Sequence, residues 1–263
     1  MKTVLVTGGA KGVGLILSRA LTQDGWHVTA CGRTRQTLVE GVHAYVRADL
    51  LLAGAAKSLL RNMPLPDALI CNAGNYGTLG AFVDLDFAKW RASLELNFFA
   101  VAEMVQEYVR LVHLDGNGTR RKIVIVGGAG IGGTKTVKGM SAYSCAKAAL
   151  VDFVESIALE EAGVDINVLA PGAVVTGITE QARAAGLSTE TKDSVETREL
   201  IGKTIVRLLS PALDGLSGRL VSARWDLDRL AELEVDFEMA GPEAGMDRWR
   251  LRRIDDELFT GTD

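Results

Sequence analysis

Tyr143 and Lys147 are the residues whose types and spacing point most directly to chemistry. They lie four positions apart in "SAYSCAK" (141–147), which would place both side chains on one face of a helix. A free tyrosine has a pKa of about 10, roughly three units too high to ionise readily at pH 7, and three units correspond to roughly 4 kcal/mol. A lysine ammonium one helical turn away, in a partly desolvated cleft, could supply much of that energy. Such a pair is suited to a site at which Tyr143 transfers a proton, although an isolated Tyr-x-x-x-Lys is more often a chance helical pair, so the assignment depends on the motifs around it.

A glycine-rich turn follows the first apolar run of the chain. The segment "VLVTGGAKGVG" (4–14) contains glycines at positions 8, 9, 12 and 14 and leads into a helical pattern, "LILSRALTQDG". Glycines let the backbone turn sharply and approach a pyrophosphate, whose charge is stabilised by free N–H groups at the helix N-terminus. At a strand-to-helix junction this pattern predicts a dinucleotide site. The expected contacts are Gly8, Lys11, Gly12, Val13 and Gly14.

The end of the second apolar run bears on which dinucleotide binds. A cofactor without a 2′-phosphate is usually held there by Asp or Glu, which accepts from the ribose hydroxyls. The segment "VTACGRTR" (28–35) instead offers Gly32 and Arg33, and Lys11 adds a second cation. Two positive groups and no carboxylate favour charge-assisted bonds to a 2′-phosphate. We therefore predict NADP(H) in preference to NAD(H).

Two further segments belong to the predicted nucleotide site. Asp49 in "RADL" (47–50) could accept from the adenine amino group. Asn72, Ala73 and Gly74 in "CNAG" (71–74) end an apolar run with small residues. A chain that passes closely under a cofactor needs small residues there, although a simple strand-to-turn junction would explain them as well.

Short, nearly continuous apolar runs alternate with longer amphipathic segments. The runs occupy residues 2–8, 27–32, 68–74, 122–128, 166–172 and 218–223. This alternation indicates buried parallel strands joined by crossover helices, which is an α/β fold with a doubly wound sheet. A length of 263 residues without a Pro/Ser-rich linker favours one domain.

The composition changes after residue 225. Residues 226–263 contain 12 Asp/Glu and 5 Lys/Arg, and their pattern is ambiguous: "LDRLAEL" (227–233) has a helical stripe, whereas "LEVDFEM" (233–239) alternates like a strand. We divide the chain into a nucleotide-binding domain at 1–225 and an acidic C-terminal extension at 226–263. The extension either packs on the domain edge or a neighbouring subunit, or forms a lid over the active site.

Composition argues against several other classes of protein. A net charge of −4 without a basic patch gives no footprint for nucleic acid or for a membrane surface. No apolar run approaches the roughly 18 residues of a membrane helix, and the start "MKTVLVTGG" has no signal-peptide pattern. The three cysteines are odd in number and far apart, which favours reduced thiols and a cytoplasmic location. The three histidines lack metal-ligand spacing, so no metal site is expected.

Five motifs, in matching order and spacing over about residues 1 to 223, resemble the classical short-chain dehydrogenases/reductases. They are Thr7-Gly8-Gly9-x-x-Gly12-x-Gly14, Asn72-Ala73-Gly74, Asn97 in "LELNFFA", Tyr143-x-x-x-Lys147, and Pro171-Gly172 with Thr176. The resemblance implies a Rossmann-like domain with a seven-stranded parallel sheet, helices on both faces, and an active site at the carboxyl ends of the strands. It also implies a small-molecule substrate and a homodimer or homotetramer.

The resemblance also implies roles for individual residues. Tyr143 is the general acid/base, and Lys147 binds the nicotinamide ribose and lowers the pKa of the tyrosine. Asn97 holds a water in the proton relay. The nicotinamide side of the site is lined by Pro171, Gly172 and Thr176.

The chain departs from the family where a serine usually hydrogen-bonds the substrate oxygen. The strand before Tyr143 ends in glycines, and the serine position falls at about Gly128. Loss of such a donor typically costs about 10²- to 10³-fold in rate. Backbone N–H groups of the glycine loop, or the hydroxyls of Ser141, Thr134 or Thr136, could replace it. Alternatively, the substrate needs less stabilisation, the reaction is an epimerisation or an oxidation, or the protein binds nucleotide with little turnover.

The sequence thus predicts an NADP(H)-dependent oxidoreductase acting on a secondary alcohol/ketone pair, with Tyr143, Lys147, Asn97 and Ser141 at the catalytic site. The segment 177–202 is polar, and glycine-for-serine variants resemble a subgroup associated with bacterial polysaccharide and sugar-related genes. Both features favour a hydroxylated or sugar-like substrate. The alternative is a cofactor-binding regulatory or scaffold protein, which would have no need for a tyrosine tuned for proton transfer.

Overall fold

A seven-stranded parallel sheet forms the centre of the protein. The computed structural model describes residues 1–34, 38–128, 138–172, 174–187 and 194–241. The sheet order is β3-β2-β1-β4-β5-β6-β7, with every neighbouring pair parallel, so the predicted α/β doubly wound fold is confirmed. The strands are β1 (Thr3–Thr7), β2 (His27–Gly32), β3 (Ala44–Arg47), β4 (Ala68–Cys71), β5 (Arg121–Val126), β6 (Val164–Ala170) and β7 (Arg219–Ser222).

Six of these strands coincide with the apolar runs of the sequence. All residues of β4 and β5 are buried, because helices cover both faces of the sheet and leave no polar side to produce an alternating pattern. The strand β3 was not predicted from the pattern. It has four residues at the sheet edge, and the two at its end, Val46 and Arg47, are exposed.

Helices cover the two faces of the sheet. They are α1 (Gly12–Gln23), α2 (Ala55–Arg61), α3 (Phe87–Leu94), α4 (Ala100–Asp115), α5 (Ser141–Glu160), α6 (Gly177–Ala184), α7 (Val195–Leu208) and α8 (Leu227–Ala240). Apolar side chains of α1, α7 and α8 share one core with the sheet, and those of α2, α4 and α5 share the other. A π-helix, Glu95–Phe99, joins α3 to α4.

The helix α8 settles the ambiguous pattern of the C-terminal segment. Leu230, Leu233 and Phe237 follow helical spacing and are buried in the same core as α1 and α7. Burying a side chain of this size contributes roughly 1.5–3 kcal/mol. The alternation at 233–239 therefore does not form a strand, and residues 242–263 lie outside the described part of the chain.

The strand order reverses between β1 and β4, which are neighbours in the sheet although two strands separate them in the chain. In open α/β sheets, ligands bind in the crevice outside the carboxyl ends of the strands at such a reversal. Four predicted segments directly follow the carboxyl ends of strands: the glycine loop, "CNAG", Gly127-Gly128 and "PG". The fold therefore gathers these segments at one edge of the sheet.

Candidate active site

The glycine loop between β1 and α1 is shaped by backbone constraints. Gly8 and Gly12 have φ values of +66° and +54°, which L side chains rarely adopt. A Cβ on Gly14 would overlap the carbonyl oxygen of Gly8 and lie 2.5 Å from Nδ2 of Asn72. Only glycine fits at position 14, because the start of α1 packs directly against the turn.

The N-terminus of α1 is open to an anion. Lys11, the N-cap residue, is extended and its side chain makes no capping bond, and the first turn contains no acidic residue. The free N–H groups there carry a partial positive charge and could donate hydrogen bonds to a phosphate. The side chain of Val13 packs against the core, so Val13 offers only its backbone to a ligand. These features fit the pyrophosphate of a dinucleotide.

The "CNAG" segment fastens the glycine loop to β4. Nδ2 of Asn72 donates to the carbonyl oxygens of Thr7 (2.9 Å) and Gly8 (3.3 Å). The backbone N–H groups of Asn72 and Ala73 both donate to Oγ1 of Thr7 at 2.9 Å. A Cβ on Gly74 would lie 2.6 Å from Oδ1 of Asn97. The hydrogen bonds of Asn72 and Ala73 thus join the end of β4 to the start of the glycine loop and hold that loop in place.

At the end of β2, a carboxylate side chain in place of Gly32 would require the phenol of Tyr45 to move. A Cβ on Gly32 would lie 2.6 Å from Oη of Tyr45, which itself donates to the carbonyl oxygen of Thr34 at 2.8 Å. Arg33 is exposed beside this position. Arg47 pairs with Gly32 across the sheet, and its Nε donates to the carbonyl oxygen of Arg33 at 3.1 Å.

Arg47 is a cation that the sequence analysis missed, because its proximity to Arg33 depends on the register of β3 on β2. The carboxylate of Asp49, by contrast, accepts from the N–H of Leu51 at 3.1 Å and stays half-buried after β3. Asp49 thus lies two residues after Arg47, just past the end of β3.

Tyr143 and Lys147 occupy the first two turns of α5, one helical turn apart as predicted. Lys147 is almost completely buried, and its Nζ donates to the carbonyl oxygen of Val126 at 2.7 Å. The same Nζ lies 5.9 Å from the ring centroid of Tyr143. Burial lowers the pKa of Lys147 to about 8, which still leaves the ammonium mostly protonated at pH 7.

The phenol of Tyr143 lies directly against Gly128. A Cβ on Gly128 would be 2.7 Å from Oη of Tyr143 and 2.9–3.0 Å from two of its ring carbons. Any side chain at position 128 would therefore meet the tyrosine hydroxyl. Burial raises the pKa of Tyr143 above its ordinary value, and the neighbouring phenol of Tyr76 raises it further. The expected lowering of this pKa by Lys147 is therefore wrong for the free protein, because the loss of hydration outweighs the nearby ammonium. In the protein without ligand, Tyr143 is a protonated donor at neutral pH.

Tyr76 is a site residue that the sequence analysis did not identify. Its ring meets the ring of Tyr143 edge to face, with centroids 4.8 Å apart and an interplanar angle of 87°. It follows "CNAGN" after β4, and β4 neighbours β5 in the sheet. A tyrosine just past a carboxyl end at the topological switch was the available signal, but only the sheet order shows that it faces α5.

Asn97 is fully buried in the π-helix, and its side-chain amide makes three hydrogen bonds to protein partners. Nδ2 donates to the carbonyl oxygens of Asn75 and Ser93, both at 2.8 Å. Oδ1 accepts from the N–H of Asn75 at 3.2 Å. Single-turn π-helices are frequent at functional sites because they reposition a side chain and a carbonyl group. The described contacts of the Asn97 amide fix the segment that carries Tyr76.

The sequence offered several donors in place of the serine, and the structure describes only some of them. Oγ of Ser141 accepts from Nε1 of Trp90 at 3.1 Å. The N–H of Gly127 donates to the carbonyl oxygen of Leu169 at 2.8 Å and belongs to the sheet ladder. Thr134 and Thr136 lie outside the described residues.

The segment after β6 reaches back to the glycine loop. Pro171 is buried, and Gly172 is exposed with a φ of +77°. Thr176 is the N-cap of α6, where its N–H donates to Oγ1 of Thr179 at 2.8 Å. A Cβ on Gly12 would lie 3.4 Å from Cγ2 of Thr176, so these two distant motifs enclose the same space.

Neither a membrane segment nor a metal cluster is found in the part of the chain that the structure describes. None of its helices is long and apolar enough to cross a membrane. Its His, Cys, Asp and Glu side chains form no group of three or more that could hold a metal ion.

Comparison with known proteins places this chain in a family. A short chain dehydrogenase family model matches residues 2–186. Dehydrogenase/reductase SDR family member 4 of Oryctolagus cuniculus is 30% identical over 193 residues, which cover 68% of this chain and 72% of that protein. A solved short chain dehydrogenase/reductase family protein, 27% identical, superimposes with a TM-score of 0.71 over 84% of this chain and 94% of its own.

A second solved structure, the RhlG/NADP active-site complex of Pseudomonas aeruginosa, is 20% identical and shares the fold. Its TM-score is 0.70 over 84% of this chain and 94% of its own. With the family model matching well over half of the residues, the chain belongs to the short-chain dehydrogenase/reductase family of NAD(P)-dependent oxidoreductases that act on CH–OH and ketone groups.

Proposed function

We propose that the protein is an NADP(H)-dependent oxidoreductase that interconverts a ketone and a secondary alcohol, with Tyr143 as the proton donor and acceptor. The observation that carries this proposal is the position of Oη of Tyr143. It lies against Gly128, at the carboxyl end of β5, on the helix that also carries the buried Lys147. This is the edge of the sheet to which the open N-terminus of α1 also belongs.

The bound nicotinamide supplies or accepts the hydride. In the direction of reduction, Tyr143 donates its proton to the oxygen on which negative charge develops. The Lys147 ammonium, held on the carbonyl oxygen of Val126, stabilises the phenolate that remains and lies where it could also bind the nicotinamide ribose. The raised pKa of Tyr143 in the free protein keeps the donor protonated until substrate and cofactor are in place.

The positively charged corner at the end of β2 and β3 supports the preference for NADP(H). The exposed side chains of Lys11, Arg33 and Arg47 can contact a 2′-phosphate, and charge-assisted bonds of this kind contribute roughly 1.5–3 kcal/mol each. The carboxylate that would favour NAD(H) cannot be placed at Gly32 without moving Tyr45. Asp49 is proposed to accept from the adenine amino group.

We propose that Gly128 stands where most members of the family have the serine that hydrogen-bonds the substrate oxygen. The Cβ direction of Gly128 points at the Tyr143 hydroxyl, which is where a serine side chain would act. The substrate is proposed to be hydroxylated or sugar-like, because the segment 177–202 is polar. A regulatory protein without turnover is not favoured, since the family membership and the buried Tyr143–Lys147 pair both indicate an enzyme.

A homodimer or homotetramer is the proposed assembly. A surface groove of about 520 Å³ between α4 and α5 contains none of the predicted site residues. Its lining combines the apolar side chains of Phe99, Phe153 and Ile157 with opposite charges on Glu103 and Arg110. Such a surface can pair with a second copy of itself around a two-fold axis. Light scattering on the purified protein, with Phe99→Glu as the disrupting variant, tests this assembly.

We further propose that residues 1–225 are the catalytic domain and that 226–263 are an extension. The helix α8 of this extension covers the same face of the sheet as α1 and α7. A cytoplasmic location is proposed because all three cysteines are unpaired thiols.

The test of the proposed function uses purified protein, NADPH and a panel of keto-sugars and simple ketones. We expect NADPH oxidation with at least one member, a Kd for NADPH at least about 10-fold lower than for NADH, and loss of turnover in Tyr143→Phe. NADPH binding without any turnover, unchanged by Tyr143→Phe, would contradict the catalytic proposal. Equal affinity for the two cofactors would contradict only the NADP(H) preference.

A further inference from the structure

The oxygen of the substrate needs a second hydrogen-bond donor beside Tyr143, and the described residues restrict where it can come from. The N–H of Gly127 is used in the sheet. The hydroxyl of Ser141 keeps its own proton to donate, but the bond that it accepts from the indole of Trp90 holds it beside α3. Gly128 itself has no side chain. A donor from another element would have to lie next to the Tyr143 phenol.

Tyr76 meets that requirement. Its ring packs edge to face against Tyr143 at a centroid distance of 4.8 Å. It lies on the segment that leaves the carboxyl end of β4, and β4 is the strand between β1 and β5 in the sheet. The side chain is half-buried, which leaves part of it accessible to a substrate.

The backbone around Tyr76 is held on both sides. Asn97 brackets the preceding residue by accepting from the N–H of Asn75 and donating to its carbonyl oxygen. Two residues after Tyr76, the N–H of Thr78 donates to Oγ of Ser93 at 3.2 Å. Both anchors belong to the α3–π-helix junction. This support is what a group that contacts a reacting atom needs, since an ångström of freedom weakens such a contact.

The protonation state of Tyr76 also suits a donor. Burial raises its pKa above the ordinary value, so the phenol keeps its proton throughout the neutral range. The same phenol raises the pKa of Tyr143 through proximity, as expected when two phenols approach one site. Two protonated phenols can then donate to one carbonyl oxygen, which has two lone pairs.

We propose that Tyr76 is a catalytic residue of the reaction proposed above and takes the part of the missing serine. In reduction, hydride adds to the carbonyl carbon, the C=O π pair moves to oxygen, and the O–H proton of Tyr143 transfers to that oxygen. Tyr76 donates a hydrogen bond to the same oxygen and keeps its proton. The glycine at position 128 leaves room for the Tyr143 ring, and Tyr76 supplies the donor from the opposite side.

The test is Tyr76→Phe, which keeps the ring and its contact with Tyr143 and removes only the O–H. We expect kcat with a ketone substrate to fall by about 10²-fold, while the Kd for NADPH stays within about twofold of wild type. The matched control is Tyr108→Phe. It removes the O–H of a fully buried phenol, which donates to the carbonyl oxygen of Pro66 and contacts none of the proposed site residues through that bond. This control should lower the melting temperature and leave kcat within about twofold.

A second measurement does not depend on turnover. In protein labelled with 3-fluorotyrosine, whose phenol has a lower pKa than that of tyrosine, the ¹⁹F resonance of residue 143 reports its ionisation. Tyr76→Phe should shift that titration to lower pH, and Tyr108→Phe should not.

Three outcomes would overturn the assignment in different ways. Wild-type kcat in Tyr76→Phe would show that Tyr76 only packs against Tyr143, and would leave the proposed function intact. An unshifted ¹⁹F titration would show that the two phenols do not share a site. Wild-type protein that reduces no member of the ketone panel would contradict the proposed function and the role of Tyr76 with it.

Discussion

The nucleotide end and the substrate end of the cleft are built in different ways. The nucleotide end depends on the backbone: Gly8 and Gly12 adopt positive φ values, and Gly14 has no room for a side chain. The substrate end depends on side chains from distant segments, with Tyr76 after β4 meeting Tyr143 on α5. Backbone constraints tolerate almost no substitution, whereas side-chain contacts can be rebuilt from a new position. The proposed replacement of a serine by glycine at position 128, beside an intact glycine loop, is consistent with this difference.

The largest effect is expected at the nucleotide end, from Gly14→Ala. The added methyl group would overlap the carbonyl oxygen of Gly8, so the loop must move away from α1. Overpacking of this kind costs about 1–3 kcal/mol or more, and we expect NADPH affinity to fall by about 10²-fold with a lower melting temperature. Fluorescence titration with NADPH measures the change in affinity.

Gly163→Ala is the control for that experiment, because a Cβ there meets nothing within 4 Å. It should bind NADPH like the wild type. Undiminished NADPH binding by Gly14→Ala would show that the loop is less constrained than the structure indicates.

The next largest effect is expected at Lys147, whose charged side chain is buried at the substrate end of the cleft. Its pKa of about 8 lies below the unfolded value of 10.5, so the unfolded chain binds more protons between these pH values. The resulting penalty is about 3 kcal/mol below pH 8 and disappears as the pH rises to the unfolded value. We expect Lys147→Met to lose activity but to match or exceed wild-type stability at pH 7.

The stability advantage of Lys147→Met over wild type should shrink as the pH rises above 8. Urea unfolding of both proteins at several pH values measures it. A difference that is constant with pH would show that Lys147 is not a destabilising buried charge.

A smaller effect is expected at Gly128. Any Cβ there pushes against Oη of Tyr143, so Gly128→Ala should lower kcat by about 10-fold through a displaced proton donor. Gly128→Ser should be no better than Gly128→Ala, because its hydroxyl comes with the same steric conflict. Steady-state kinetics on wild type and the two variants measure these effects. A Gly128→Ser variant faster than wild type would show that no other group has replaced the serine hydroxyl.

The smallest effect is expected from Arg47→Ala, which removes one of several cations near the predicted 2′-phosphate. The Kd for NADPH should rise by about 10-fold, while the Kd for NADH stays within about twofold, because NADH has no phosphate there. Titration with both cofactors measures this. An equal loss of affinity for both would place Arg47 outside the 2′-phosphate contact.

The fold could be predicted from the sequence where residues are buried on both faces of the sheet. Strand β4 and the last four residues of β5 are continuous apolar runs, whereas β3 was not predicted because it is short and half exposed at the edge. The glycine loop and the Tyr143–Lys147 pair could be predicted because their spacing is local. Tyr76 and Arg47 could not, because their positions depend on strand order and register, which no local pattern encodes.

The most direct test of the central claim is hydride transfer itself, followed with NADPH that carries deuterium at the transferable position of the nicotinamide. The protein is incubated with this cofactor and a ketone that it consumes, and the alcohol is analysed by mass spectrometry. We predict one deuterium at the carbinol carbon with the wild type, and a rate at least about 10²-fold lower with Tyr143→Phe at unchanged NADPH affinity. Alcohol without deuterium, or equal rates for the two proteins, would contradict the assignment of Tyr143 as the proton donor of an NADP(H)-dependent reductase.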